Sequence, residues 1–107
     1  MQKSIYVSGP ISKVAGGNVE AFARASALVS CSGEAVNPHD ICADVPAGSP
    51  WTVYMRCCVA SLALCQEVVM LPGWWRSRGA RWELVIALML GLRVYFSERQ
   101  WQRRSIR

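Results

Sequence analysis

Acids are scarce in this chain. Its 107 residues hold seven Asp and Glu against twelve Lys and Arg, and a single histidine. The five cysteines, Cys31, Cys42, Cys57, Cys58 and Cys65, are odd in number, include an adjacent pair, and form no Cys-x-x-Cys or Cys/His array at metal spacing. That excludes a sequence-evident metal site and a disulfide framework, and it makes reduced thiols in the cytoplasm the expected state. The N-terminus lacks the apolar stretch and cleavage site of a secretory signal. The most apolar stretch, residues 84–96, is interrupted by Gly91 and Arg93 and is too short to cross a hydrocarbon layer of about 30 Å as a helix. No membrane partner is expected. Internal repeats and low-complexity segments are absent as well.

What is present fits one compact domain: 52% of the residues are hydrophobic, enough for a sizeable core. Residues 1–97 are read as the domain and 98–107 as a basic tail. The net charge of +5 is concentrated in Arg76, Arg78 and Arg81 and in the tail residues Arg99, Arg103, Arg104 and Arg107. Such patches suit phosphate on a small ligand, phosphate on a polymer, or solubility alone. For the tail, a frayed and solvated end is the expectation.

Short strands alternate with helices along the chain. Ser4–Ser8 is β-branched and aromatic and stops at Gly9-Pro10. Asn18 is a plausible cap for a helix over Val19–Ser30, with Phe22, Ala25, Leu28 and Val29 on one face and Gly33 closing it. Glu34–Asn37 reads as a second strand, followed by a loop that lasts until Pro50. A helix over Trp51–Cys65, an apolar strand over Glu67–Leu71, a helix from Arg78 or Gly79 to Leu90 and a strand over Leu92–Phe96 complete the pattern. Apolar strands separated by helices imply an α/β fold, a flavodoxin-like or Rossmann-like three-layer sandwich around a parallel sheet of four or five strands.

In such sheets ligands bind beyond the C-terminal strand ends. Three turns empty there: Gly9-Pro10-Ile11-Ser12, Asn37-Pro38-His39-Asp40, and the segment from Pro72 to Gly79. Ser77, Arg78 and Gly79 precede a helix whose free N–H groups favour an anion, although Ser77 as a simple cap with solvated arginines is the plainer account. Glu83, one turn into that helix, is the only acid between Glu67 and Glu98, which makes it a candidate nucleophile if it faces the strand ends. Trp51, Trp74 and Trp75 can stack on a base or cover apolar surface, and at most one is expected to stack. His39 lacks a partner at triad spacing, so a hydrogen bond to a base edge or a surface role suits it better than catalysis.

The order IYVSGPIS, Asn18 with Phe22, VNP, W..YMR, LPGW..S.GA..E and LG..V, running from Ile5 to Val94, resembles the nucleoside 2-deoxyribosyltransferase-like family of small, largely phage and bacterial domains. The resemblance implies a flavodoxin-like sheet, often a homodimer whose subunits complete each other's sites, and no cofactor. Relatives in that family, deoxyribosyltransferases and deoxynucleoside monophosphate N-glycosidases, cleave the bond between base and sugar. Glu83 matches their nucleophile and Tyr6 the tyrosine beside it. Gly9, Pro10 and Ile11 of the first turn match sugar or 5′-phosphate contacts, as do Ser77 and Gly79, with Asn37, His39 and Trp51 as further substrate contacts. Their chemistry needs a second acid to protonate the leaving base. The positions of the family's other acids fall on Cys58 and Gln66, which are not acids, and Asp40 or Asp44 could substitute only if the long loop folds over the site. Two classes therefore stand: an N-glycosidase or transferase acting on a nucleoside or nucleotide, and a binder that kept the pocket and lost the chemistry. Nucleic-acid binding is less favoured, because the arginines show no aromatic interleaving.

Overall fold

The computed structural model describes residues 3–11 and 14–103. Ser12, Arg104 and Arg107, singled out above, lie outside the described residues. Four strands, β1 (Ser4–Ser8), β2 (Glu34–Val36), β3 (Glu67–Met70) and β4 (Arg93–Tyr95), form a sheet in the order β2-β1-β3-β4 with every pair parallel. Among the described residues the strand count is four, and the sheet lies between helices on both faces.

Alternation along the strands decides which side chains meet which layer. Tyr6, Val68 and Met70 face a core built with Cys58 and Leu62 of α3 (Trp51–Leu62) and Ala80 and Ala87 of α4 (Arg78–Met89). Ile5, Val7, Val69 and Leu71 face the other side, against Phe22, Ala25 and Val29 of α1 (Val19–Val29) and Trp101 of α5 (Glu98–Arg103). A Cβ on Gly33 would lie 2.5 Å from the carbonyl oxygen of Lys3, so this glycine is demanded by the approach of two chain segments at the start of β2. It does not close α1, which ends at Val29, with Ser30 as its cap.

Three expectations change. Asn18 stands at the N-cap position of α1 but its side chain makes no capping bond: the residue lies in the left-handed region at φ 63°, and its Nδ2 donates to the carbonyl of Pro10 at 3.0 Å, bracing the first turn. The segment expected to be loop after β2 begins with a short helix, α2 (Pro38–Ile41), where Asn37 Oδ1 accepts from the amide of His39 at 3.0 Å. The tail is not frayed over Glu98–Arg103. It forms α5, and Trp101 is 4% exposed, because one apolar residue of that basic segment has a core position to fill.

No helix of the described residues is long and apolar enough to cross a membrane. α4 nevertheless leaves an apolar face open: Trp82, Val85, Leu88 and Met89 are exposed, with Trp75 and Phe96 also exposed nearby in the chain.

Candidate functional site

β1 and β3 are neighbours although β2 comes between them in the chain, so the sheet's direction of growth reverses at their C-terminal ends. A crevice is expected at such a switch point, since the connections leave to opposite faces. The structure has a cavity of about 720 Å3 here, bounded by the first turn, the loop after α2, α3 and the start of α4.

Glu83 sits at its floor. Only 5% of the residue is exposed, and its carboxylate accepts from Tyr6 Oη on one oxygen (2.5 Å) and from Ser8 Oγ on the other (2.7 Å). Tyr6 and Ser8 are two apart on β1 and therefore project from the same face of the sheet. Burial pushes the Glu83 carboxyl above its ordinary range, while the two hydroxyl donors pull it back. Burial likewise pushes Tyr6 well up, helped by the Glu83 charge, so the phenol stays a donor. Among the described residues no Lys, Arg or His forms a salt bridge with Glu83.

The rim has the opposite charge. Arg76, Arg78 and Arg81 line the cavity, and none is paired with a carboxylate among the described residues. Ser77 caps α4, its Oγ accepting from the amide of Ala80 at 3.2 Å, which leaves the amides of Arg78 and Gly79 at the helix start without an intrahelical acceptor. The guanidinium of Arg78 lies 3.8 Å from the centroid of the Trp51 ring, so one face of that indole already holds a cation.

Gly9, Ile11, Trp51, Ser77, Gly79, Cys58 and Glu83 line the cavity, whereas Tyr6 is not among its lining residues and is bonded to Glu83. Pro10, Asn37 and His39 are not among the lining residues. Asn37 is occupied as a helix cap, and His39 Nε2 bonds the Gly17 carbonyl at 2.8 Å with its ring against Phe22, tying the turns after β1 and β2 together. Gly9 is required where it is, because a Cβ there would lie 2.7 Å from the Leu71 Cβ. Asp40 and Asp44 are exposed and do not line the cavity, which leaves Glu83 as its only carboxylate among the described residues. Gln66 lies at the opposite end of the sheet, where its Oε1 accepts from the Ser4 amide at 2.7 Å, roughly 13 Å along β1 from Ser8. It cannot stand for a missing acid at the site.

Reasoning from sequence missed Ser8 and Tyr54. The spacing of Tyr6 and Ser8 carried the signal for the first; Tyr54, on α3 one turn from Cys58, could be placed only by the fold. Burial raises both Tyr54 and Cys58, so each keeps its proton at neutral pH. No group of three or more His, Cys, Asp or Glu among the described residues is arranged to hold a metal ion.

Comparison with known families matches residues 3–96 to a domain of unknown function, DUF4406. The chain belongs to this family. No curated protein matches it. The DUF4406 match takes in every lining residue of the cavity as well as Tyr6 and Ser8.

Proposed function

We propose that this DUF4406 protein binds a nucleoside or nucleotide in the cavity and uses Glu83 to attack the anomeric carbon of its sugar, as an N-glycosidase or 2-deoxyribosyltransferase would. The observation that carries this reading is a buried carboxylate, held by two hydroxyls and without a cation among the described residues, in a cavity lined by three arginines that pair with no carboxylate of the described residues. Departure of a base leaves positive charge on the sugar, and an unpaired carboxylate is stabilised as that charge develops. Tyr6 and Ser8 fix the direction of attack. The arginines and the free amides at the start of α4 suit a 5′-phosphate. The resemblance to the deoxyribosyltransferase-like family, drawn from motifs, points the same way.

One observation favours a second reading. Because Glu83 is the only carboxylate lining the cavity among the described residues, none of these offers the departing base a strong acid. Tyr54 and Cys58 can donate a hydrogen bond, but their raised pKa values make them poor acids. A binder that sequesters a nucleotide without cleaving it needs no such acid.

Incubation with deoxynucleosides and their 5′-monophosphates, followed by chromatography for free base, separates the two. Base release that drops on the order of a thousandfold or more in Glu83→Gln supports the enzyme, the scale expected when a nucleophile is removed. Tight binding with no free base after long incubation supports the binder. A reducing, cytoplasmic setting accords with five free thiols. We also propose that a second copy of the chain covers the exposed apolar face of α4, since contiguous apolar surface of that kind marks an interface.

A further inference from the structure

We propose that Cys42 and Cys57 are an oxidation site, converted by a hydroperoxide into a disulfide that fastens the cavity's loop wall to α3. The inference stands independently of what the cavity binds. Three thiols from two chain segments meet at this wall: Cys42, which ends α2, and the adjacent Cys57 and Cys58 of α3. Cys42 Sγ lies 2.9 Å from Cys57 Sγ and 3.3 Å from Cys58 Sγ, and Cys57 Sγ also donates to the Ile41 carbonyl at 3.3 Å. Bond formation from the Cys42–Cys57 separation requires only about 1 Å of side-chain movement. Cys31, exposed at the end of α1, and Cys65, beyond the far end of α3, make no thiol contact.

Access selects Cys57 as the first to react. Cys58 is 1% exposed, while Cys57 is half-buried and meets solvent. Burial also raises the Cys42 and Cys58 thiols, which keeps both protonated and slow to attack an oxidant. The Cys57 thiolate attacks one oxygen of the hydroperoxide, an S–O bond forms as the O–O bond breaks, and the leaving alkoxide or hydroxide takes up the thiol's proton. Cys42 sulfur then attacks the resulting sulfenic acid, the S–S bond forms, and the hydroxyl departs as water with the Cys42 proton. Two thiols lose two electrons and two protons, and the peroxide is reduced to an alcohol, or water, and water. The ring so closed includes Val45 to Ser49, Trp51, Tyr54 and Met55, all of which line the cavity. Oxidation would therefore fix one wall of the site to the helix that faces it.

The full-length native protein is treated with hydrogen peroxide, its remaining thiols are alkylated in urea, and the product is digested after Arg56, which separates Cys42 from Cys57 and Cys58. The expected result is loss of two hydrogens per molecule, alkylation at three of the five cysteines, and a fragment ion joining Cys42 to Cys57 that dithiothreitol removes. Cys42→Ser and Cys57→Ser should each abolish the link, and Cys31→Ser should retain it. A link to Cys58, a vicinal Cys57–Cys58 bond, cross-linked dimers through Cys31, or Cys57 advancing to sulfinic acid while Cys42 stays alkylatable would each overturn the proposal. The map of the wild-type protein decides the matter even if a serine variant fails to fold.

Discussion

Two buried glutamates stand at opposite ends of this sheet. Glu67, at the start of β3, is 1% exposed and is met by the ammonium of Lys3 at 3.1 Å and the indole N–H of Trp101 at 3.1 Å. Glu83, beyond the end of β1, is almost as buried but is met by two neutral hydroxyls. Burying a carboxylate costs several kcal/mol unless charge and hydrogen bonds compensate it. Glu67 receives both, as expected of a residue that closes a structure. Glu83 receives only hydrogen bonds and opens on a cavity, and this difference is what the proposed role of Glu83 rests on.

Several substitutions test that contrast. The largest structural loss is expected from Trp101→Ala, which empties a core position and removes a donor from Glu67: about 3 kcal/mol or more by urea unfolding. A loss near zero would mean that α5 contributes nothing to the closed end.

Matching substitutions at the two glutamates should move stability in opposite directions. Glu67→Gln is expected to cost about 1 kcal/mol at neutral pH, a modest figure because the Lys3 side chain is 48% exposed and solvent screens the pair. Glu83→Gln is expected to stabilise by about 1 kcal/mol, as replacements of buried functional carboxylates do. The pH dependence gives the sign. Folding raises the Glu83 pKa, so the folded state holds this proton to higher pH than the unfolded chain does. Its contribution is fully present below the ordinary carboxylate range and is lost as pH rises through the raised value. The advantage of Glu83→Gln should thus vanish in acid and grow toward neutrality, and an advantage that persisted unchanged in acid would contradict the assignment.

Smaller effects should come from the hydroxyls. Tyr6→Phe removes a donor that lowers the Glu83 pKa, so the pH at which base release falls off should move upward, with release itself reduced about tenfold. Ser8→Ala should act in the same direction. If neither changes the profile, the hydroxyls merely fill space. Finally, gel filtration of Met89→Glu, which places a charge on a residue 77% exposed, should show a smaller particle than the wild type if α4 is a subunit interface.

Much of the fold was legible because its signals are local. The runs at residues 4–8 and 67–71, each stopped by a Gly-Pro or Pro-Gly turn, suited buried strands of a parallel sheet, and the apolar face of α1 followed from helical spacing. The four-residue helix α2 was not legible, since so short an element has almost no periodicity. α5 was missed for a different reason. Charge dominated the reading of residues 98–103, while the position of Trp101 depends on a pocket supplied by Ile5, Val69 and Glu67, distant in sequence. At the candidate site, Glu83 and Ser77 stood out from scarcity and spacing, but His39 and Asn37 could not be told from ligand contacts until their partners in the chain were seen.

The sequence by itself determined an α/β architecture, the three turns at the strand ends and the solitary acid between Glu67 and Glu98, because each is read directly along the chain. Tertiary structure alone decided which acid was matched and which was not. Tyr6 and Ser8 reach Glu83 across more than seventy residues, and Lys3 and Trp101 converge on Glu67 from the two ends of the described chain. Whether a buried charge is compensated depends on distances between segments, and those are set only when the sheet and its helices pack.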